Sequence, residues 1–141
     1  MTSSDEPPAW LSRDGILRAT LAFAGLSGLA AIGLGAWSAH GARQVLSPQA
    51  LEWVHTGVQY QAWHSIALLG VGILMAVRPG RFLTPAAAAF ALGILLFSGS
   101  LYGLAFTGLR AFAYATPIGG IAMLAGWLLI AIYALTFGRR F

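Results

Sequence analysis

Residues 54–77, VHTGVQYQAWHSIALLGVGILMAV, form an apolar run of 24 residues that contains no aspartate, glutamate or arginine. An α-helix rises about 1.5 Å per residue, so a run of this length crosses a hydrocarbon core of about 30 Å. Three further runs of similar length and composition occupy residues 16–39, 83–106 and 117–137. The four runs predict four transmembrane helices, because a helix satisfies its own backbone hydrogen bonds in lipid.

The composition of the 141 residues agrees with this prediction, since 58% are hydrophobic and only 9% are charged. Soluble domains carry about 25% charged residues, and disordered chains contain far less apolar surface, so both classes are excluded. The absence of cysteine excludes disulfides and thiolate metal sites. We predict an all-α integral membrane protein with a polar tail at 1–12 and a four-transmembrane-helix bundle at 13–141. The first run exceeds the about 7–15 apolar residues of a secretory signal, so we expect an uncleaved helix.

All eight basic residues are arginine, and they are divided unequally between the two ends of the predicted bundle. Arg43 and Arg110 flank one end. The other end is flanked by Arg13, Arg18, Arg78, Arg81, Arg139 and Arg140. Arginine accumulates on the cytoplasmic side of membrane proteins, so the bias predicts that both termini and the 78–81 turn are cytoplasmic.

The segments before three of the runs contain signals for helix starts. Ser12 precedes the first run, Ser47-Pro48 precedes the second and Thr116-Pro117 precedes the fourth. Serine and threonine are favoured at the N-cap, and proline is favoured at the first helical position. The signals predict that the second helix begins near Pro48, outside the bilayer, and that Thr116 caps the fourth helix.

Polar side chains within the runs are concentrated in the half that faces away from the arginine-rich end. The second run is polar on two opposite helical faces, so it is predicted to be the interior helix and the most buried of the four. Gln61 and His64 lie about 10 Å and 15 Å along it from its outer end. The candidate polar pocket or interhelical network comprises Gln59, Tyr60, Gln61, His64, Ser98, Ser100, Tyr102, His40, His55 and Thr116.

Two arrangements of these polar residues remain open from the sequence. Complete pairing gives a closed network of hydrogen bonds, whereas incomplete pairing gives an outward-facing pocket that admits water or a ligand head group. We expect a closed network around the deep residues and a shallow pocket above them.

Small residues recur at helical spacing and predict close helix packing. The first run contains Ser27, Ala31, Gly35 and Ala39, each four residues apart, and the third contains Gly99 and Gly103. Such stripes serve packing within the bundle, and they can also join two copies of the chain or a partner membrane protein.

The chain lacks the side-chain sets that enzymes require. It has no paired intramembrane carboxylates and no phosphate-binding or hydrolase motif, so we predict no enzymatic activity. His40, His55 and His64 do not have the spacing of a metal site, and no carboxylate within the bundle supports them. We therefore predict no metal, no cofactor and no nucleic-acid partner.

Four segments resemble one family of bacterial membrane proteins. They are GAWSAHG (35–41), VQYQAWHSIALL (58–69), GILLFSGSLY (93–102) and TPIGGIAMLAGW (116–127). They are similar to the YgdD/YwdK-type family, also called domain of unknown function 423, to which the small eukaryotic transmembrane protein 256 family is related. The resemblance covers about residues 16–137. It implies a four-helix protein of the bacterial inner membrane and carries no established activity or catalytic residue.

Three functions remain open from the sequence. The first is a non-enzymatic structural or accessory module that packs with a partner protein or lipid. The second is a small-solute or lipid-head-group binding or transport protein with an outward-facing polar pocket. The third, a quinone-handling protein that uses His64 and Tyr102, has no supporting cofactor motif.

Overall fold

The computed structural model describes residues 12–136, and within this range it contains helices and turns but no strand. The four runs become four helices that are long and apolar enough to cross a membrane. They are α1 (Arg13–His40), α2 (Pro48–Val77), a third span (Leu83–Thr107) and α5 (Ala115–Thr136). The predicted all-α fold with four spans is therefore confirmed. Most of the predicted tail, together with Arg139 and Arg140, lies outside the described residues.

The third span is not a single regular helix. It consists of α3 (Leu83–Gly93), a π-helical turn (Ile94–Ser98) and α4 (Gly99–Thr107). A π-helical turn inserts one residue into the helical repeat, and such turns are common at functional sites. Gly108 ends α4 in the left-handed conformation, at φ 68°, and its N–H donates to the Leu104 carbonyl at 2.9 Å.

Two of the three predicted helix caps are confirmed. The Ser12 hydroxyl accepts a hydrogen bond from the Gly15 N–H at 3.1 Å, and the Ser47 hydroxyl accepts one from the Ala50 N–H at 3.2 Å. The predicted Thr116 cap is wrong, because α5 begins at Ala115 and is preceded directly by a 3₁₀ turn at Arg110–Tyr114. The 3₁₀ turn runs directly into α5, so the backbone of the turn takes the place of a side-chain cap at the start of the helix.

The spans pack in the order in which they occur along the chain. Helix α1 packs along α2, α2 packs along the third span, and the third span packs along α5. Within residues 12–136, α1 and α5 share no extended interface. Helix α2 is therefore interior, as predicted, with neighbours on both sides. The third span is nevertheless slightly more buried than α2, so the prediction that α2 is the most buried helix is wrong.

Glycines bring the third span and α5 into close contact. A Cβ atom added at Gly119 would lie 2.8 Å from the Cα atom of Phe97, in the π-helical turn. A Cβ atom added at Gly126 would lie 2.6 Å from the ring of Phe90. Membrane helices associate through this kind of close approach, since lipid supplies no hydrophobic force between them.

The alternating directions of the spans define two ends of the bundle. We call the end at which α1 and α3 begin and α2 and α5 end the arginine-rich end, because Arg13, Arg78 and Arg81 lie there. The other end, with the connections around residues 41–47 and 108–114, is called the opposite end. The outer surface between them is apolar: Leu29, Ile32 and Leu124 are about 70% exposed, as expected of side chains that face lipid.

Candidate functional site

Gln61 on α2 is the centre of a hydrogen-bond network that joins three helices. Its Nε2 atom donates to the Ser27 carbonyl on α1 at 3.0 Å and lies 3.3 Å from the Ser27 hydroxyl. Its Oε1 atom accepts a hydrogen bond from the Tyr102 hydroxyl on α4 at 2.7 Å. The Ser65 hydroxyl, one turn along α2, lies 2.8 Å from the Ser27 hydroxyl and 2.7 Å from the Gln61 carbonyl. We call Ser27, Gln61, Ser65 and Tyr102 the glutamine network.

His64 lies on a neighbouring face of α2 and turns toward α5. Its Nδ1 atom lies 2.7 Å from the Tyr60 carbonyl, and its Nε2 atom accepts a hydrogen bond from the Trp127 indole N–H at 3.2 Å. A carbonyl can only accept and an indole N–H can only donate, so the two partners assign the neutral imidazole with its proton on Nδ1. The centre of the Phe90 ring lies 5.6 Å from the centre of the His64 imidazole ring and 5.3 Å from the centre of the Trp127 ring.

Two serines of the third span complete the polar contacts. Ser98, at the end of the π-helical turn, donates to the Gly57 carbonyl on α2 at 2.8 Å. The Ser100 hydroxyl lies 2.7 Å from the Thr116 hydroxyl on α5. Gly57 has a second role, because a Cβ atom there would lie 2.6 Å from the Tyr102 ring. The absence of a side chain at Gly57 therefore lets Tyr102 approach α2 closely and reach Gln61.

The structure brings together most, but not all, of the ten sequence-predicted polar residues. Seven take part in the contacts between helices just described. Ser100 with Thr116 joins the third span to α5, and the other five join α2 to its neighbours or lie beside those contacts: Tyr60, Gln61, His64, Ser98 and Tyr102. His40, His55 and Gln59 are exposed instead. They lie nearer the opposite end than Gln61 and His64 do. The second polar face of α2, which carries His55 and Gln59, is therefore not covered by another helix within residues 12–136, contrary to our expectation.

The small residues predicted to pack are also only partly buried. Ser27 and Ala31 are buried against α2, and a Cβ atom at Gly35 would contact Val58 at 3.4 Å. Ala39, in contrast, is exposed, because the buried stripe continues through Ser38.

The two glycines predicted to pack in the third span differ in the same way. Gly103 packs on the ring of Phe112, from which an added Cβ atom would lie 2.7 Å away. Gly99 is exposed and has no neighbouring atom within 4 Å of an added Cβ, so its predicted packing role is wrong within one chain.

The deep polar groups are paired within the protein. Within residues 12–136, no buried side-chain nitrogen or oxygen atom lacks a hydrogen-bond partner. The described part of the chain also contains no group of three His, Asp or Glu side chains that could hold a metal ion. These contacts are the ones expected if the deep residues form the closed network.

Ser65 and Trp127 were not among the candidate residues, and Ser27 was included only for packing. Ser65 follows Gln61 by four positions on α2 and so lies on the same helical face, which is a signal in the sequence. Ser27 belongs to the stripe of small residues on α1, and only its hydroxyl group indicated that it could also form hydrogen bonds. Nothing in the sequence pairs Trp127 with His64, because their contact depends on how the third span spaces α2 from α5.

Two cavities lie away from the opposite end, where a pocket was expected. One of about 500 Å³ lies at the arginine-rich end, between Arg13 and Arg81. A second, of about 320 Å³, is a groove between α1 and α3. Neither is lined by a residue of the glutamine network or by His64.

Comparison with known proteins agrees with the fold and the length of the chain. Residues 34–120 match a family described as "Protein of unknown function (DUF423)". The chain is 40% identical over 123 residues to the UPF0382 inner membrane protein YgdD of Escherichia coli strain K12, covering 87% of this chain and 94% of that protein. No solved structure matches the chain.

Two further relatives come from different bacteria. A UPF0382 membrane protein of Haemophilus influenzae is 44% identical over 111 residues, which cover 79% of this chain and 89% of that protein. The UPF0382 membrane protein YwdK of Bacillus subtilis is 37% identical over 113 residues, which cover 79% and 92%. With four membrane-spanning helices and matches along almost the whole length of these relatives, the chain belongs to the DUF423 (UPF0382) family and is a multi-pass inner-membrane protein.

Proposed function

We propose that the protein is a non-enzymatic structural or accessory module of the inner membrane, which acts by packing its lipid-facing helix surfaces against a partner membrane protein. The observation that carries this proposal is the closed polar core. Gln61 and His64 of α2 are only 6% and 5% exposed, and their polar atoms are occupied by Ser27, Tyr102, Tyr60 and Trp127. Such groups hold the helices in one arrangement rather than offering donors to a substrate.

The packing surface of such a module is the apolar exterior. Gly25 and Gly28 on α1 have no neighbouring atom within 4 Å of an added Cβ atom, and Leu29 beside them is 68% exposed. Small residues on a lipid-facing helix allow the backbone of a second protein to approach closely. The proposal therefore includes association through α1, either with another membrane protein or with a second copy of the chain.

Thiol labelling tests whether the polar core is closed. The chain contains no cysteine, so a single introduced cysteine is the only thiol. We choose Ser65→Cys and Ser98→Cys because serine and cysteine have similar sizes and both positions are buried. His55→Cys, at an exposed position near the opposite end, is the matched control. A membrane-impermeant maleimide should label His55→Cys and leave the other two unlabelled until the protein is unfolded.

A second candidate is a small-solute or lipid-head-group binding or transport protein with an outward-facing pocket. It is favoured by the exposed polar side chains His40, His55 and Gln59 near the opposite end. The same experiment separates the two candidates. Rapid labelling of both Ser65→Cys and Ser98→Cys in the folded protein would reject the closed module and support the pocket.

A further inference from the structure

The cavity at the arginine-rich end has the composition of an anion site. Its lining includes Arg13, at the start of α1, and Arg81, in the turn before α3. Thr84 and Gly80 also line it, and none of the lining residues within 12–136 is acidic. Its volume of about 500 Å³ lies within the range of about 300–1,000 Å³ that is typical of ligand sites.

The two arginines are held at the cavity but retain donors for a ligand. Arg13 makes a long contact of 3.5 Å from one terminal nitrogen to the Met75 carbonyl at the end of α2. Arg81 lies 4.7 Å from the ring centre of Phe82, which supports the flat guanidinium group. A guanidinium group carries five N–H donors in a planar fork that matches phosphate oxygens.

The second cavity is an apolar groove that adjoins the first, since Ile16 and Thr84 line both. Its walls run from Ile16 to Phe23 on α1 and from Thr84 to Ala91 on α3, a length of about 10 Å. The groove exists because α1 and α3 pack on α2 and hardly on each other. Alanines line much of it, and its one deep hydroxyl, that of Thr20, donates to the Ile16 carbonyl at 2.8 Å.

We propose that the cavity and the groove together form a site for one anionic phospholipid, with its phosphate between Arg13 and Arg81 and an acyl chain along the groove. The positions fit the membrane, because both arginines lie at the ends of spans and the groove runs into the apolar interior from there. One leaflet of the hydrocarbon core is about 15 Å deep, so the groove accommodates about two thirds of a chain. This inference is independent of the proposed packing function, because that proposal is argued from the contacts of Gln61 and His64, which line neither the cavity nor the groove.

The test measures lipid binding to the purified, delipidated full-length protein by native mass spectrometry, with phosphatidylglycerol and phosphatidylethanolamine as probes. We expect tighter binding of phosphatidylglycerol. The double substitution Arg13→Gln and Arg81→Gln should weaken it about 25-fold, as two contacts of about fivefold each combine. The matched control is Arg43→Gln with Arg110→Gln, which removes the same charge at the opposite end and should change binding less than twofold.

A second pair of variants tests the groove without changing charge. Ala19→Leu and Ala88→Leu narrow it from both walls at exposed positions, so the fold is not at risk. Ala22→Leu and Ala125→Leu, at exposed positions elsewhere on α1 and α5, are the control. The proposal is supported if the Ala19→Leu and Ala88→Leu variant binds phosphatidylglycerol more weakly while the Ala22→Leu and Ala125→Leu control binds it as before.

Three outcomes would overturn the lipid assignment. The first is equal weakening by both arginine pairs, which would mean general charge attraction. The second is unchanged phosphatidylglycerol binding in both the Arg13/Arg81 and the groove variants. The third is displacement of the lipid by inorganic phosphate together with unchanged binding in the groove variants, which would identify a site for free phosphate.

Discussion

Replacing Gln61 with leucine removes the centre of the glutamine network while leaving the size of the side chain almost unchanged. Two interhelical partners are lost, Ser27 and Tyr102, and interhelical hydrogen bonds in membranes average about 0.6 kcal/mol each. The Tyr102 hydroxyl is then left without its acceptor in a partly buried position, which costs about 1–2 kcal/mol more. We therefore expect Gln61→Leu to lower the free energy of unfolding by about 2–3 kcal/mol.

A double-mutant cycle with Tyr102→Phe isolates the direct hydrogen bond. Each single variant leaves one polar atom of the pair unpaired, whereas the double variant leaves neither. The double variant should therefore be more stable than the sum of the two single effects predicts, by at least about 1 kcal/mol. Gln59→Leu, at an exposed position of the same helix, is the control and should change stability by less than about 0.5 kcal/mol.

The measurement is reversible unfolding in mixed micelles of dodecyl maltoside and sodium dodecyl sulfate, followed by the fluorescence of the five tryptophans. Additive effects of the two single substitutions, to within about 0.3 kcal/mol, would refute the role assigned to the Gln61–Tyr102 pair. If Gln59→Leu destabilised the protein as much as Gln61→Leu, the loss of stability would come from removing a glutamine from α2 and not from breaking the Gln61 contacts.

Three further predictions concern the glycines of the third span and α5, the Trp127–His64 contact, and the orientation of the chain in the membrane. Gly119→Ala should lower the melting temperature, because its Cβ atom meets the Phe97 backbone, whereas Gly99→Ala should leave it unchanged or raise it, since that position is open and alanine favours helix. Trp127→Phe should destabilise the protein by about 1–2 kcal/mol in mixed-micelle unfolding by leaving the His64 Nε2 atom unpaired, whereas Trp63→Phe, at an exposed position, should have little effect. A reporter that works only in the cytoplasm should be active when it is fused to the C-terminus, and a reporter that works only in the periplasm should be inactive there. The opposite sign for either glycine, equal effects of the two tryptophan variants, or a periplasmic reporter would contradict the corresponding prediction.

The positions of the spans could be predicted from the sequence because lipid imposes a strong constraint on length and polarity. The second helix begins at Pro48, as the Ser47-Pro48 pair indicated, and it ends at Val77, as the apolar run indicated. The interior position of Gln61 and His64 could also be predicted, since polar groups at that depth require protein partners.

The partners of these groups could not be predicted, because they depend on the spacing and rotation of the neighbouring spans. The π-helical turn at Ile94–Ser98 has no clear signature in an apolar segment, yet it supplies the Ser98 contact to Gly57 and the backbone that packs on Gly119. Gly99 could not be predicted correctly for a similar reason. A helical repeat of small residues indicates that another helix could approach closely, but it does not identify that helix, and no atom of the chain lies within 4 Å of an added Cβ atom at Gly99.

The packing order of the spans has a consequence for how the protein is made. Each span contacts mainly its neighbours in the chain, so the preceding partner is already synthesised when α2, the third span and α5 leave the ribosome. Contacts between neighbours in sequence close short loops, which carry a small entropic cost and favour rapid folding. The fold can therefore grow span by span during synthesis, because α1 and α5 share no extended interface within residues 12–136.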